Sequence, residues 1–385
     1  MTDRWEPIAR AHRLVVKVGS SSLTDVTGGL DPQRVRLLVD AVGGARQAGR
    51  EVVLVSSGAV AAGMAPLGMR TRPRDLASQQ AAASVGQGLL IERYTRLFAG
   101  HGIRVGQVLL TVDDMTRKAN FGNVLRTMTR LLELDVLPIV NENDTVATHE
   151  IRFGDNDRLA ALVAHLVGAD ALVLLSDVDA LYTAHPSEPD AVRIEEVAHP
   201  DELRVDTTRR GAAVGTGGMT TKINAARIAA SGGIPVLLAN ADRAADALAG
   251  ERIGTLFHRF GKKRPRRLSW LEHASQVRGE LVLDAGAVRA VTERKASLLP
   301  AGIVAVNGDF HPGEPVNLVN EAGTVVAHGL VTYDAGDLPR IIGRNTKELA
   351  ASMGPEFERE VVHRDSLVVK ARRRRPPAPD PAGAT

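Results

Sequence analysis

The stretch LVVKVGSSSLTDVTGGLDPQRVRLLVDAVGGARQAGREVVLVSS, Leu14 to Ser57, reads as strand, helix, strand. LVVKV and EVVLV are short apolar runs of strand length. Between them, DPQRVRLLVDAVGGARQAG spaces its apolar residues with the period of a helix. Asp31 stands where an N-cap belongs and Pro32 takes the first helical position. The same alternation runs outward through the first two-thirds of the chain. A long helical stretch from about Pro73 to Gly100 leads to the strand-like GQVLLTV, and a helix near Thr116 to Glu133 leads to VLPIVN. After the polar loop ENDTVATHEIRFGDND come a helix near Arg158 to Val167, the run ALVLLS, the helical TKINAARIAASGG and the run IPVLLAN. Continuous Val/Leu/Ile strands separated by helices indicate an α/β fold, a mostly parallel sheet covered by helices on both faces. Ligands of such sheets sit beyond the carboxyl ends of the strands.

Near Gly261 the pattern changes. From Gly279, short β-like runs (GELVLDAGAV, GIVAVNGDFHPGEPVNLVN, GTVVAHGLVTY) alternate closely with Gly, Asp, Asn and Pro, the signature of a small β-rich domain. The expected organisation is an α/β domain over residues 10–260, a basic linker over 261–278, a β-rich domain over 279–360 and a tail over 371–385 that is disordered by composition.

The 385 residues are 44% hydrophobic and 24% charged, an ordinary globular balance. With no cysteine, disulfides, thiolate nucleophiles and cysteine-based zinc sites are excluded. MTDRWEPIAR lacks the apolar core of a signal peptide, and no apolar run approaches ~18 residues; a cytoplasmic location without a membrane partner is expected. The net charge of +3 is clumped in KKRPRR (Lys262–Arg267) and ARRRRPP (Ala371–Pro377). Such blocks are usually solvated, though clustered arginine is also the footprint of phosphate binding.

The polar residues with chemical content stand at the predicted strand ends. Lys17 lies inside an apolar strand, two residues before Gly19 and three serines; it either snorkels to solvent or aims its ammonium at an anion. Ser56-Ser57-Gly58 leads into a helix, offering backbone donors to a carboxylate or phosphate, or simply an N-cap. Asn141, Glu142, Asn143 and Asp144 crowd another strand end, as an ammonium pocket or an Asx turn. Asp155, Asn156 and Asp157 precede an apolar helix; one caps it, and an Asp here could orient a lysine or bind Mg²⁺ through water. Ser176, Asp177 and Asp179 end a further strand. Finally GTGGMTTK, Gly215 to Lys222, has the glycines, hydroxyls and lysine of a phosphate loop but departs from the Walker A order. Two lysines, two carboxylate clusters and two glycine-rich loops at the ends of one sheet are what phosphoryl transfer requires, because its catalysis is mostly positioning and charge neutralisation. The histidines, His101, His149, His165 and His185 among them, show no metal-ligand spacing, and no nucleophile elbow opens a helix.

In this order, VVKVGSSSL, VLVSSGAVAAG, VNENDTVAT, GDNDRLAALVA, LLSDVDALYT and GTGGMTTK resemble the glutamate 5-kinase family of the amino acid kinase superfamily. The block from Gly279, with SLLPAGI and GDFHPGEPV, is similar to the PUA domain that bacterial members append. The resemblance implies ATP-dependent phosphorylation of the side-chain carboxylate of L-glutamate, the first step of proline biosynthesis, with Mg²⁺. It further implies feedback inhibition by proline and a homo-oligomer. By motif, Lys17 would contact the phosphates near the nucleophile, Lys222 would stabilise them from the donor side, and Asp155 would hold the lysines in place. Ser57, Asp144 and Asn156 would bind glutamate. Ser176 and Asp177 would lie along the nucleotide, which Thr216, Gly217, Gly218, Met219, Thr220, Thr221 and Lys222 would wrap. The family's motif usually has Gly at Ala180 and Asp at His185. The rival readings are a sister kinase with another acceptor and an RNA-binding protein; the latter is disfavoured by the 3% aromatic content, since RNA recognition usually adds stacking aromatics.

Overall fold

The computed structural model describes residues 4–25, 29–111, 114–115, 118–146, 156–184, 187–188, 190–200, 203, 218–260, 271, 277–354 and 357–370. The chain divides into two compact units, Met1–Ala274 and Ser275–Thr385.

The strands of the first unit are β1 Arg13–Val18, β2 Glu51–Val55, β3 Arg104–Leu110, β4 Val136–Glu142, β5 Ala171–Ser176, β6 Leu181–Tyr182, β7 Arg193–Ile194, β8 Glu196–Val197, β9 Val236–Asn240 and β10 Thr255–Phe257. Eight of them form one sheet in the order β3-β4-β2-β1-β5-β9-β10-β8, while β6 and β7 pair separately. From β3 to β9 every pair is parallel; β10 turns back antiparallel to β9. The helices are α1 Glu6–Ala9, α2 Pro32–Gln47, α3 Ala59–Met64, α4 Leu76–Ala99, α5 Lys118–Glu133, α6 Asn156–Val167, α7 Met219–Ser231 and α8 Ala244–Ala249. The expected α/β architecture is therefore present. Helix α2 starts as its sequence dictates: the Asp31 carboxylate accepts from the Gln33 and Arg34 N–H groups at 2.8 and 3.3 Å, a cap worth about 1 kcal/mol.

Strand parity sorts the central residues. Leu14, Val16 and Val18 of β1 join Val52, Leu54, Val173, Leu175, Leu237 and Ala239 in one core, with Leu38, Val42, Tyr94, Phe98 and Leu248 from α2, α4 and α8. Alternate side chains point to the other face. Val15, Val53, Val55, Leu172, Leu174 and Leu238 are as fully buried there, and Lys17 shares their parity. Its Cα pairs with Val55 on one side and Leu174 on the other.

Helices α3 and α4 meet backbone to backbone. A Cβ on Gly63 would stand 1.9 Å from the Ala82 carbonyl oxygen, and one on Gly86 1.7 Å from that of Ala59. Gly58, which precedes α3, has φ +98°, a conformation open mainly to glycine. These glycines let α3 turn sharply from the end of β2 and lie directly on α4.

The second unit is a five-stranded mixed sheet, ordered β12-β11-β13-β14-β15, of β11 Gly279–Leu283, β12 Ile303–Gly308, β13 Pro315–Asn320, β14 Val325–Val331 and β15 Val362–Val369, with helices α9 Ala285–Thr292 and α10 Thr346–Met353. Only β11 and β13 run parallel. β15 carries the sheet past residue 360, the expected edge of the domain. Leu281, Leu283, Val316, Leu318, Val331, Leu338 and Leu349 fill its core together with Phe310 and Tyr333. Tyr333 donates its hydroxyl to the Phe357 carbonyl at 3.2 Å, and the Arg359 guanidinium lies 4.3 Å from its ring centroid. Most of the basic linker and the whole tail lie outside the described residues. No described helix is long and apolar enough to cross a membrane.

Candidate active site

The parity of β1 turns Lys17 toward α6 and α7, and there it meets a carboxylate. Lys17 Nζ lies 2.5 Å from Asp157 Oδ1, and Lys222 Nζ lies 3.3 Å from Asp157 Oδ2. The Thr221 hydroxyl donates to the same Oδ2 at 2.8 Å. The Asp157 side chain is 0% exposed and those of Lys17 and Lys222 are 6% and 9% exposed. Burial by itself would raise the Asp157 pKa; the two ammonium groups and the Thr221 hydroxyl outweigh it and hold the carboxyl at about 2. One carboxylate between two ammonium groups leaves a buried cluster with one positive charge in excess. A buried charge without compensation is costly, so the cluster is complete only when an anion joins it.

Asp157 is the residue that spans the lysines. The sequence assigned that task to Asp155, which lies outside the described residues. The reach of Asp157 follows from where α6 begins. It starts at Asn156, two residues before the expected Arg158, so Asp157 is in its first turn and points inward with Ala160, Ala161 and Ala164, all buried. The helical spacing of Asp157 with those alanines was the available signal, since i, i+3, i+4 and i+7 share one face.

Asn156, the preceding residue, ties two other strand ends together. Its Nδ2 shares its two protons among three acceptors, the Ser56 carbonyl at 2.8 Å, Ser57 Oγ at 3.0 Å and Asn141 Oδ1 at 2.9 Å. The amide nitrogen is thereby spent on the protein, while Asn156 Oδ1 and the Ser57 hydroxyl proton have no partner among the described residues and are open to a ligand. Asn141 also accepts from the Glu142 N–H at 2.9 Å; its own Nδ2 is buried with no partner. Asp144, half-buried in the turn after β4, lies three residues further on. The predicted acceptor residues Ser57, Asp144 and Asn156 thus come from the ends of β2 and β4 and the start of α6.

At the first strand end, Gly19 gives its N–H to the Leu175 carbonyl at 3.3 Å and so does not present it to an anion. The N–H groups of Ser20 and Ser21 carry no hydrogen bond among the described residues. Ser176 ends β5 buried, its hydroxyl donating to Asp177 Oδ1 at 2.9 Å, and the Asn240 amide at the end of the adjacent β9 reaches the Asp177 carbonyl at 3.4 Å. Gly218 precedes α7, and the Thr221 hydroxyl contacts its carbonyl at 2.8 Å. Met219 and Thr220 open α7 with exposed or half-buried side chains. Thr216 and Gly217 lie outside the described residues. His165 is a core residue, its Nε2 2.9 Å from the Ile228 carbonyl; burial lowers its pKa.

Comparison with known proteins agrees with this two-unit architecture. The amino acid kinase family model matches residues 12–240, and the PUA domain model matches residues 279–353. A glutamate 5-kinase of Streptomyces avermitilis is 62% identical over 96% of this chain and 99% of its own length. That of Streptomyces coelicolor is 62% identical over 96% and 99%, and that of Salinispora arenicola 61% over 96% and 100%. A family model that spans most of the parallel-sheet unit, and enzymes alike from end to end, lead to one conclusion: the chain belongs to the amino acid kinase family, in its glutamate 5-kinase branch, and carries a PUA domain.

Proposed function

We propose that this protein transfers the γ-phosphoryl group of ATP to the side-chain carboxylate of L-glutamate, giving L-glutamyl 5-phosphate, the first step of proline biosynthesis. The observation that carries the reading is the buried Lys17–Asp157–Lys222 cluster with its excess positive charge, beside a pocket of open hydroxyl and amide groups. The acceptor carboxylate has a reference pKa of about 4.3 and is ionised at neutral pH, so its oxygen attacks the γ-phosphorus without a general base. The barrier is the approach of two anions and the charge spread over the transferred group in a loose transition state. Lys17, on the strand next to the acceptor loops, neutralises the attacking side. Lys222, at the start of α7, neutralises the donor side. Asp157 keeps both ammonium groups at fixed positions, so little reorganisation is needed during transfer.

Ser57 donates to the acceptor, Asn156 Oδ1 accepts from it, and Asp144 pairs with its α-ammonium. The nucleotide lies along Ser176, Asp177 and the segment Thr216–Lys222. It enters as its magnesium complex. Both oxygens of Asp157 are engaged by ammonium groups, and no group of three metal-binding side chains exists among the described residues; Mg²⁺ satisfied by phosphate oxygens and water suits such a site. Proline, sharing the α-carboxylate and amine of glutamate, would compete for the acceptor pocket, and the enzyme would work as a cytoplasmic homo-oligomer.

The test is hydroxylamine trapping of the acyl phosphate with ATP, Mg²⁺ and a panel of amino acids. Hydroxamate is expected with glutamate and not with N-acetylglutamate, and proline should raise the KM for glutamate. Hydroxamate formed only with another acceptor would refute the assignment.

A further inference from the structure

Helix α4 carries two buried polar side chains that phosphoryl transfer itself does not use, Gln87 and Tyr94. Tyr94 is 0% exposed and its hydroxyl lies 2.9 Å from Ser56 Oγ. Ser56 Oγ gives its single proton to the Ser57 carbonyl at 3.1 Å, so Tyr94 is the donor of that pair. Burial pushes the phenol pKa upward, and the group stays a donor at every working pH. Gln87 stands seven residues earlier, two helical turns along nearly the same face. Its Nε2 reaches the Glu142 carbonyl at 3.4 Å, and its Oε1 accepts from Gln107 Nε2 at 3.2 Å.

One helix face therefore touches the end of β2, which leads into Ser57, and the end of β4, which leads into Asp144. Just before Gln87, α4 lies against α3 backbone to backbone at Gly63, Ala82 and Gly86, which seats this end of the helix closely on the segment that follows Ser57. A buried hydroxyl or amide that lost its partner would carry a desolvation penalty, so each contact holds its strand end in place.

We propose that Tyr94 and Gln87 are positioning residues for the acceptor: α4 acts as a gauge that sets the span between Ser57 and Asp144 and thereby the length of amino-acid side chain the site accepts. The inference rests on the acceptor reading given above. Neither residue touches Lys17, Asp157 or Lys222, so the gauge acts on the acceptor and not on the nucleotide.

The experiment uses the full chain and its Tyr94→Phe and Gln87→Met variants. Steady-state kinetics are measured with aspartate, glutamate and 2-aminoadipate as acceptors and with varied ATP. For the acceptor that the wild type uses best, Tyr94→Phe should raise KM about 3- to 10-fold, the worth of one net hydrogen bond. The KM for ATP should stay within about 2-fold, and the preference over acceptors one methylene shorter or longer should shrink, a readout that general loosening of the fold would not produce alone. Should Tyr94→Phe fail to fold, Ser56→Ala removes the same hydrogen bond and is read the same way. An unchanged acceptor KM and preference, or a KM for ATP rising in step with that for the acceptor, would overturn the gauge. Wild-type turnover of some acceptor other than glutamate would instead overturn the substrate assignment while leaving the gauge to be judged on that acceptor.

Discussion

The eight-stranded sheet ends its central strands in buried polar side chains, whereas the five-stranded sheet buries almost none. Of the thirteen buried polar or charged residues among those described, twelve belong to the first unit and only Ser366 to the second. Both sheets bury apolar cores, so the contrast is not one of size or packing. It reflects direction. Parallel strands bring all their carboxyl ends to one edge, where the loops into the following helices converge and polar side chains can satisfy one another. A mostly antiparallel sheet distributes its turns to both edges and gathers no such cluster. Buried charge is tolerated only where it is paired or used, and this chain concentrates it at one crest.

The contrast is tested most severely at the lysines. Lys17→Ala or Lys222→Ala should each lower kcat by about 10²–10³, the usual cost of losing a donor aimed at developing charge; turnover near wild type in steady-state assays would remove that lysine from the catalytic set. Asp157→Asn comes next. It leaves two buried ammonium groups without a counter-charge and should destabilise the first unit by about 3–5 kcal/mol, read as a fall in chemical-denaturation midpoint. Its pH signature has a definite sign. The folded carboxyl titrates at about 2, below its reference value of 3.8, so its stabilisation is present above pH ~4 and is lost as pH falls through ~2. Wild type should lose about 2 kcal/mol across that window through this group, and the Asn variant should lack that loss.

A smaller effect is expected where packing carries the site. Gly63→Ala forces a Cβ toward the Ala82 carbonyl and should cost about 1–3 kcal/mol through overpacking, with the acceptor KM rising as α3 is displaced; an unchanged melting temperature would show that α3 and α4 can separate freely. The smallest effect should come from removing the second unit. A chain ending near Gly261 should keep its kcat within about 2-fold, since none of the side chains assigned to the reaction belongs to that unit. A folded but inactive fragment would break the division of labour between the two sheets.

Much of this was legible in the chain. The strand–helix alternation from Leu14 onward was written in hydrophobic period, and Asp31 with Pro32 marked the start of α2 as observed. Lys17 stood out because an ammonium within LVVKV must either snorkel to solvent or find a counter-charge, and only the structure chose the second. Less visible was its partner. Three polar residues, Asp155, Asn156 and Asp157, precede the same apolar run, and choosing among them needs the starting turn of α6 to within a residue. Tyr94 and Gln87 gave no sign at all, since an aromatic or amide in a long helix is ordinary until one knows what it faces.

The sequence by itself determined the order of the main strands and helices, the parallel sheet, the crowding of polar groups at strand ends and the change to a β-rich pattern from Gly279. These are local matters, set by hydrophobic spacing, capping and turn chemistry within a few residues. Only the tertiary structure decided that Asp157 lies between Lys17 and Lys222, that Asn156 joins β2 to β4, and that one face of α4 reaches both acceptor loops. Those contacts link residues 15 to 140 positions apart, and a register shift of one residue in any strand or helix would exchange the side chains that meet.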